Sequence, residues 1–309
     1  MGRELALQLT AEGCSVAMCD VSADNMAITE ELCRATMPAG TTVSTFVADV
    51  SNEQQLVAFR EHVVRAHCPD SPALHLLFNN AGVGGGGSFV DDDRSNWEAT
   101  FNVCWGGVYL GCRTFMPLLL AADKGHVVNT SSVNGFWASL GPGVPHTAYS
   151  AAKFAVKGFT EALITDFRVN APHLSASVVM PGHIGTDIVL NSGAYHGRSP
   201  KELTEAQVAE ERVRLAKRGL DVSGASDDDI RLGLQMMGEG FRDTAPTSAA
   251  QAATIILDGV RRGDWRILVG ADAVSLDEVV RENPTIAYDP EFNDILQARR
   301  LFQFAADPE

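Results

Sequence analysis

Tyr149 and Lys153 are the two residues whose types and spacing best suit proton transfer. Side chains four residues apart lie on one face of a helix, so both would face the same side. There the Lys153 ammonium would lower the pKa of the Tyr149 phenol, because a nearby positive charge favours the phenolate. A tyrosine poised in this way gives or takes a proton at neutral pH. Taken alone, such a pair is more often part of a solvated helix face.

A serine pair, Ser131-Ser132, precedes this helix and follows an apolar run. A hydroxyl beside Tyr149 can hydrogen-bond the oxygen of an alcohol or of a ketone. The three side chain types together predict a site that oxidises alcohols or reduces ketones, provided that a hydride carrier binds alongside.

Short apolar runs alternate with helical patterns along most of the chain. The patterns predict strands at 15–19, 42–48, 73–78, 125–130, 175–180 and 265–269, and helices at 3–12, 23–36, 53–67, 94–120, 147–169 and 247–262. This alternation predicts an α/β fold with a doubly wound, mostly parallel sheet and helices on both faces. Ligands of such sheets bind beyond the carboxyl ends of the strands.

Two segments interrupt the alternation. Residues 191–245 contain two charged helical stretches, near 200–218 and 226–242, and predict a substrate lid or a plain surface hairpin inserted into a domain of residues 1–270. Residues 271–309 lack strong periodicity, and we expect them to form a C-terminal tail that packs on the domain or on a partner subunit.

Acidic residues follow the first two predicted strands. Asp20 could accept hydrogen bonds from both hydroxyls of an adenosine ribose and would repel a 2′-phosphate, which favours NAD over NADP. Asp49 could meet an adenine amino group while Val50 packs on the ring. The alternative for both aspartates is a helix cap, since a predicted helix follows each.

Small and polar residues follow two later strands. Asn79-Asn80-Ala81-Gly82 would let the backbone approach a flat ligand, with the amides tying neighbouring strands together. The turn from Pro181 to Thr186 could face a nicotinamide, with Thr186 bonding a carboxamide or a phosphate. The glycine run Gly84–Gly87 lacks the spacing of a phosphate loop, and we expect a flexible loop beside the substrate pocket.

Together these residues resemble the short-chain dehydrogenase/reductase family, from Gly2 to about Gly270. The resemblance implies a Rossmann-type sheet and a nicotinamide cofactor. It implies Tyr149 as the acid/base, Ser132 rather than Ser131 as the ligand of the substrate oxygen, and Lys153 as ribose ligand and tuner of Tyr149. The cofactor-binding residues that it implies are Gly2, Asp20, Asp49, Val50, Asn80, Ala81, Gly82, Tyr149, Lys153, Pro181, Gly182, Ile184 and Thr186.

The sequence departs from the family pattern in two places. The family's catalytic Asn, which helps to hold a proton-relay water, aligns with Cys104, and Asn102 lies about 200° away around the helix. Since a thiol is a weak hydrogen-bond partner, we expect reduced but not absent activity. The family also begins with a strand and a glycine-rich turn at a helix N-terminus, of which only Gly2 is matched. We therefore expect a missing N-terminal strand and an N-terminally truncated form of a longer protein.

Composition narrows the class of partner. A net charge of −15 argues against nucleic acid and anionic membranes, and no apolar run suggests a membrane span. The six cysteines and eight histidines show no zinc-ligand spacing, so we expect no metal, and a cytoplasmic location. The substrate would be a small hydrophobic alcohol or ketone, and we expect a homo-oligomer. Expected pocket residues are Asn134, Phe136, Trp137, His146 and the 183–245 region.

The sequence thus favours an NAD-dependent oxidoreductase that interconverts an alcohol and a ketone or aldehyde. The alternative is a catalytically impaired Rossmann-like binding or scaffold protein, which the incomplete glycine turn and Cys104 would favour.

Overall fold

Parallel strands form the centre of the molecule and fall into separate groups. The computed structural model describes residues 1–141, 144–299 and 301. One group is the pair β1 (Val16–Asp20) and β2 (Val43–Val47). The second group has the order β3-β4-β5-β8, comprising β3 (Leu76–Asn79), β4 (Gly125–Thr130), β5 (Leu174–Pro181) and β8 (Arg266–Val269). A third, short pair joins β6 (Ile184–Gly185) to β7 (Thr247–Ser248).

Helices connect these strands in the alternating order that the sequence predicts. Those of the sheet region are α1 (Gly2–Ala11), α2 (Ala23–Thr36), α3 (Glu53–His67), α4 (Arg94–Phe101), α5 (Gly107–Leu120), α6 (Thr147–Asn170) and α10 (Ala249–Arg262). The inserted segment contains α7 (Ile188–Tyr195), α8 (Glu205–Lys217) and α9 (Asp227–Asp243). The predicted α/β fold with parallel strands and covering helices is confirmed.

The sheet is divided between β1 and β3, as expected for a sheet that lacks one strand. These two strands do not pair, although Val16 of β1 and Leu76 of β3 pack in the same apolar cluster beneath α1 and α10. All six residues of β4 are buried, whereas every residue of β3 is only half-buried. Among the described residues, no strand therefore pairs with the second edge of β1 or of β3.

The inserted segment forms a helical hairpin with a core of its own. Leu203, Val208, Leu215 and Ile230 are buried together between α8 and α9. Two ion pairs fasten α8 to the 88–92 loop, Arg214 with Asp92 at 3.3 Å and Lys217 with Asp91 at 2.8 Å.

The helix from Arg94 to Leu120 bears on the membrane expectation. Within the described residues it is long and apolar enough, by length and composition, to cross a membrane, although polar residues interrupt its apolar sequence. Of its most apolar window, 56% is buried inside the domain, as in the core helix of a folded protein. One π-helical turn, Asn102–Gly106, interrupts it.

The C-terminal segment is helical, which its weak periodicity did not predict. It forms α11 (Ala271–Glu282) and α12 (Pro290–Ala298), whose Leu276, Phe292 and Leu296 are buried against Trp137. The Trp137 indole N–H donates to the Ala287 carbonyl at 2.7 Å. Trp137 therefore belongs to this core and does not line a pocket, contrary to expectation. The end of the expected tail, residues 302–309, lies outside the described residues.

Candidate active site

Helix α6 presents Tyr149 and Lys153 on one face, one turn apart. Lys153 is 2% exposed, and its Nζ donates to the Thr130 carbonyl at the end of β4, at 2.9 Å. The same ammonium lies 5.3 Å from the centroid of the Tyr149 ring. Ala148 and Ala152 are fully buried beneath α6, so this side of the helix is fixed against the sheet while Tyr149 stays half-buried.

Two opposing effects act on the Tyr149 phenol. Burial raises its pKa, and it outweighs the Lys153 charge, which lowers it. The neighbouring Cys104 raises the pKa further, and a hydrogen bond with Ser132 lowers it. Lys153 thus acts in the predicted direction, and burial, which the sequence did not reveal, is the larger effect on the Tyr149 pKa.

The two serines after β4 have separate partners. Ser132 Oγ accepts the Asn134 N–H at 3.1 Å, and its hydroxyl lies close enough to Tyr149 to lower the pKa of the phenol. Ser131 Oγ donates to the Lys153 carbonyl at 2.8 Å and is 1% exposed. Asn134, an expected pocket residue, instead donates its amide to the carbonyls of Trp137 and Ser139 and holds that loop.

Cys104 lies in the π-helical turn and faces the same centre. Its Sγ donates to the Val83 carbonyl at 3.2 Å, and the residue is fully buried. A Cβ on Gly82 would meet Lys153 Nζ at 3.4 Å and Cys104 Sγ at 3.7 Å, so ammonium and thiol flank this glycine. Asn102 is exposed on the other side of the turn. It therefore does not substitute for an amide at position 104.

Asp20 and Asp49 stand at the carboxyl ends of β1 and β2, and neither caps a helix. Ser22 caps α2 by accepting the Asn25 N–H, and Asn52 caps α3. The helix-cap alternative is therefore wrong for both aspartates. Asp20 is exposed, and one of its oxygens accepts the Ser22 N–H at 2.9 Å.

Asp49 and Val50 are held by different neighbours. One Asp49 oxygen accepts both the N–H and the hydroxyl of Ser51, at 2.9 and 2.7 Å. Val50 packs so tightly on Gly107 that a Cβ there would lie 2.7 Å from the valine Cγ2. Both residues therefore have fixed positions beside the start of α5.

The turn after β3 contains two asparagines with different surroundings. Asn79 donates to Asn129 Oδ1 at 2.8 Å and ties β3 to β4, as predicted for an amide here. Asn80 Oδ1 is buried without a partner, a state that costs free energy unless a ligand supplies a donor. A Cβ on Gly2, the first residue of α1, would lie 3.0 Å from Asn80 Nδ2. This orphan acceptor and the α1 N-terminus suit a polar, anionic cofactor.

The turn from Pro181 to Thr186 is held by a residue that the sequence did not reveal. Asp272, in the first turn of α11, accepts the His183 N–H at 2.6 Å. Gly182 contacts the same carboxylate so closely that no Cβ fits there. Ile184 is buried, and Thr186 is half-buried beyond it. The sequence shows an Asp shortly after the last predicted strand, but its contact with the Pro181–Thr186 turn is visible only in the structure.

The glycine run Gly84–Gly87 is a packed junction, so the expected flexible loop is wrong. A Cβ on Gly86 would lie 2.7 Å from the Ala148 Cβ, and one on Gly87 would lie 2.8 Å from the Pro145 carbonyl oxygen. The Gly84 N–H donates to the Ser192 hydroxyl, and the Gly84 carbonyl accepts a hydrogen bond from the His196 ring. The run therefore connects α6 with α7.

Within residues 1–141 and 144–299, no group of three or more His, Cys, Asp or Glu side chains is placed to hold a metal ion.

Comparisons with known proteins agree with this geometry. The family model described as short chain dehydrogenase matches residues 1–195. The Mycobacterium tuberculosis protein named as oxidoreductase SadH is 31% identical over 281 residues, covering 91% of this chain and 86% of SadH.

Two solved structures share the fold. A short chain dehydrogenase/reductase from Burkholderia phymatum, in complex with NAD, has a TM-score of 0.71 at 27% identity and covers 94% of this chain and 92% of its own. A metagenomic short-chain oxidoreductase in complex with NADP has a TM-score of 0.50 at 23% identity, over 80% of this chain and 89% of its own. This chain belongs to the short-chain dehydrogenase family and is an oxidoreductase with that family's NAD(P)-binding fold.

Proposed function

We propose that this protein is an NAD-dependent oxidoreductase that interconverts an alcohol and a ketone or aldehyde. The observation that carries the proposal is the convergence of Ser132, Tyr149 and Lys153. Ser132 is close enough to lower the pKa of the Tyr149 phenol through a hydrogen bond, and the Lys153 ammonium lies 5.3 Å from the centroid of the Tyr149 ring. A phenol and a hydroxyl side by side suit one substrate oxygen, which would accept one hydrogen bond from each.

The protein residues would move the proton of the reaction. In oxidation, the Tyr149 phenolate takes the hydroxyl proton of the alcohol while Ser132 holds the same oxygen. In reduction, the phenol returns a proton to the carbonyl oxygen. Lys153 favours the phenolate through its charge. A bound nicotinamide would supply the hydride chemistry, and Gly2, Asn80, Gly82 and the Pro181–Thr186 turn would hold that cofactor.

The preference for NAD over NADP rests on Asp20. This side chain is exposed at the carboxyl end of β1, and one of its oxygens bonds only the local Ser22 N–H. A second carboxylate oxygen is thus available for ribose hydroxyls, while its charge would repel a 2′-phosphate. Asp20→Ala should lower the ratio of NAD to NADP in kcat/KM, and an unchanged ratio would contradict this assignment.

The second candidate is a catalytically impaired binding or scaffold protein. Cys104 favours it, because its thiol is committed to the Val83 carbonyl and offers no amide to a relay water.

The test combines cofactor binding with turnover. NADH fluorescence titrations and assays on a panel of secondary alcohols with NAD should show both binding and reduction of NAD. Tyr149→Phe should lower kcat by at least about 100-fold and leave the NADH dissociation constant within a few-fold, since general acid–base catalysis contributes about 10²–10⁴. Tyr109→Phe is the matched control, because Tyr109 is exposed on the outer face of α5. Binding without any turnover by the wild type would support the scaffold reading instead.

A further inference from the structure

His146 lies directly against the proposed catalytic tyrosine. Its imidazole ring is 4.7 Å from the Tyr149 ring, centroid to centroid, with an angle of 34° between the planes. His146 occupies the N-cap position of α6, yet its side chain caps nothing. The N–H groups of Thr147 and Ala148 donate instead to the carbonyls of Gly87 and Gly86, at 3.0 and 3.1 Å. The imidazole is therefore not needed to begin the helix.

The imidazole of His146 is neutral and has spare hydrogen-bonding capacity. Burial lowers its pKa to about 4, so the ring carries no charge at neutral pH. A neutral imidazole has one N–H donor and one lone-pair acceptor. Neither ring nitrogen has a hydrogen-bond partner among the described residues, and the side chain is half-buried. A half-buried polar group with open capacity at a reaction site suits a ligand contact.

Several other polar groups near the site already make hydrogen bonds to other protein groups. The Lys153 ammonium donates to the Thr130 carbonyl, and the Cys104 thiol donates to the Val83 carbonyl. The Asn134 amide nitrogen holds two backbone carbonyls of its own loop. Ser132 and Tyr149 are reserved for the reacting oxygen under the proposed function. Among these groups, His146 is the one with capacity for a further substrate atom.

We propose that His146 is a substrate-contacting residue that hydrogen-bonds a second oxygen of the substrate, one or two carbons from the reacting carbon. The inference rests on the proposed function and deepens it. Because His146 flanks the Tyr149 ring, an oxygen held by Tyr149 has its near neighbours beside the imidazole. A hydrogen bond reaches about 2.7–3.2 Å, which fits an adjacent carbinol or carbonyl. The favoured substrates are therefore diols, hydroxyketones and diketones.

Matched substrate pairs test the proposal. The ratio of kcat/KM for 2,3-butanediol over 2-butanol, and for 1,2-cyclohexanediol over cyclohexanol, is measured in the wild type and in His146→Phe. Phe keeps a stacked ring but loses both nitrogens. We expect the ratio to fall about tenfold in H146F, the factor given by one hydrogen bond of about 1.4 kcal/mol. His146→Asn, which keeps a polar group, should retain part of the preference.

The control variant is His75→Gln, on an exposed histidine at the opposite end of the sheet, and its ratio should equal the wild-type ratio. A ratio that is equal in wild type and H146F would overturn the proposal, because His146 would then act by packing alone.

A binding measurement separates this proposal from the proposed function. The imidazole Hε1 resonance of His146, assigned by its loss in H146F, should shift when 2,3-butanediol is added and stay in place with 2-butanol. A protein without turnover that still shows this shift would contradict the proposed function and keep the His146 contact. Turnover on diols without any shift of this resonance would support the proposed function and contradict the His146 contact.

Discussion

At Tyr149, burial and the Lys153 charge act on the same phenol in opposite directions, and burial prevails. The raised pKa keeps the phenol protonated at neutral pH, which is the form that donates a proton to a carbonyl oxygen. Oxidation needs the phenolate, whose fraction grows as the pH rises toward the pKa. The residue therefore suits reduction at neutral pH and oxidation at alkaline pH.

The raised pKa of Tyr149 gives a prediction for the pH profiles of the two reaction directions. The rate of alcohol oxidation should increase above pH 7, while the rate of ketone reduction should stay level near neutrality. Lys153→Met removes the charge that favours the phenolate, so the rise in oxidation should move to higher pH. Initial rates in both directions between pH 6 and pH 10 measure this. A rise that moves to lower pH in Lys153→Met would show that the charge acts in another way.

Cys104 offers a second prediction at the residue scale. Its thiol is bonded to the Val83 carbonyl and lies beside Gly82, where an amide could hold a water near Lys153. We expect Cys104→Asn to raise kcat severalfold, because an amide is the stronger hydrogen-bond partner. Cys33→Ser, at another buried cysteine in a distant cluster, is the control for the loss of a thiol. An unchanged or lower kcat in Cys104→Asn would contradict the expectation.

At the scale of elements, the glycine junction determines how α6 and α7 meet. Gly86 has a φ of 58° and would place a Cβ 2.8 Å from the Trp97 Cα, and its carbonyl accepts the Ala148 N–H. One residue therefore combines left-handed backbone, close packing and a cap for the helix that carries Tyr149. A change there alters the site without touching any of the proposed catalytic side chains.

Gly86→Ala should destabilise the protein more than a left-handed backbone alone explains. The left-handed conformation costs an alanine about 1–2 kcal/mol, and the overlap with Trp97 adds about 1–3 kcal/mol of overpacking. Gly40→Ala is the matched control, since Gly40 has a φ of 87° and open space around it. Urea unfolding compares the two free energies. Equal losses of unfolding free energy in the two variants would show that the residues around Gly86 accommodate a Cβ without further destabilisation.

Prediction from sequence succeeded where a signal was local. The strands and helices of the sheet region agree with their apolar periodicity to within about three residues, because burial of one face fixes that pattern. The strand-end residues were predicted for the same reason. The sequence did not predict the role of Asp272, the burial of Trp137 or the packing of Gly84–Gly87. Each of these depends on a partner far away in the chain. Helix α11 escaped because charged residues interrupt its short apolar stripe.

At the scale of the whole molecule, the divided sheet is the feature that most affects stability. In the described part of the chain, β1 and β3 each have one edge that no strand pairs with, and their apolar side chains are only half-buried. Such edges accept further strands from other chains and favour aggregation. The carboxyl end of β3 lies near Gly2, since a Cβ on Gly2 would be 3.0 Å from Asn80 Nδ2, so a strand joined to α1 would start beside this edge.

An added strand tests this directly. Five β-branched residues and a short glycine turn, joined ahead of α1, should raise Tm by about 4 °C or more and reduce aggregation, because each aliphatic side chain buried is worth roughly 1.5–3 kcal/mol before the entropy of ordering. A polar extension of the same length is the control. Equal Tm values for both extensions, measured by calorimetry, would show that the gap does not accept a strand.

The chain of bonds from Asn79 to Asn129 and on to Thr160 has a consequence for motion. Asn129 accepts from Asn79 at 2.8 Å and donates to the Thr160 hydroxyl at 3.0 Å, and that hydroxyl donates to the Val156 carbonyl. Two strands and α6 are thereby joined through buried side chains. Amide protons of β4 and of α6 should exchange with deuterium at one common rate, as a single cooperative unit. Any opening that exposes Tyr149 to bulk solvent through α6 would then require the centre of the sheet to open with it.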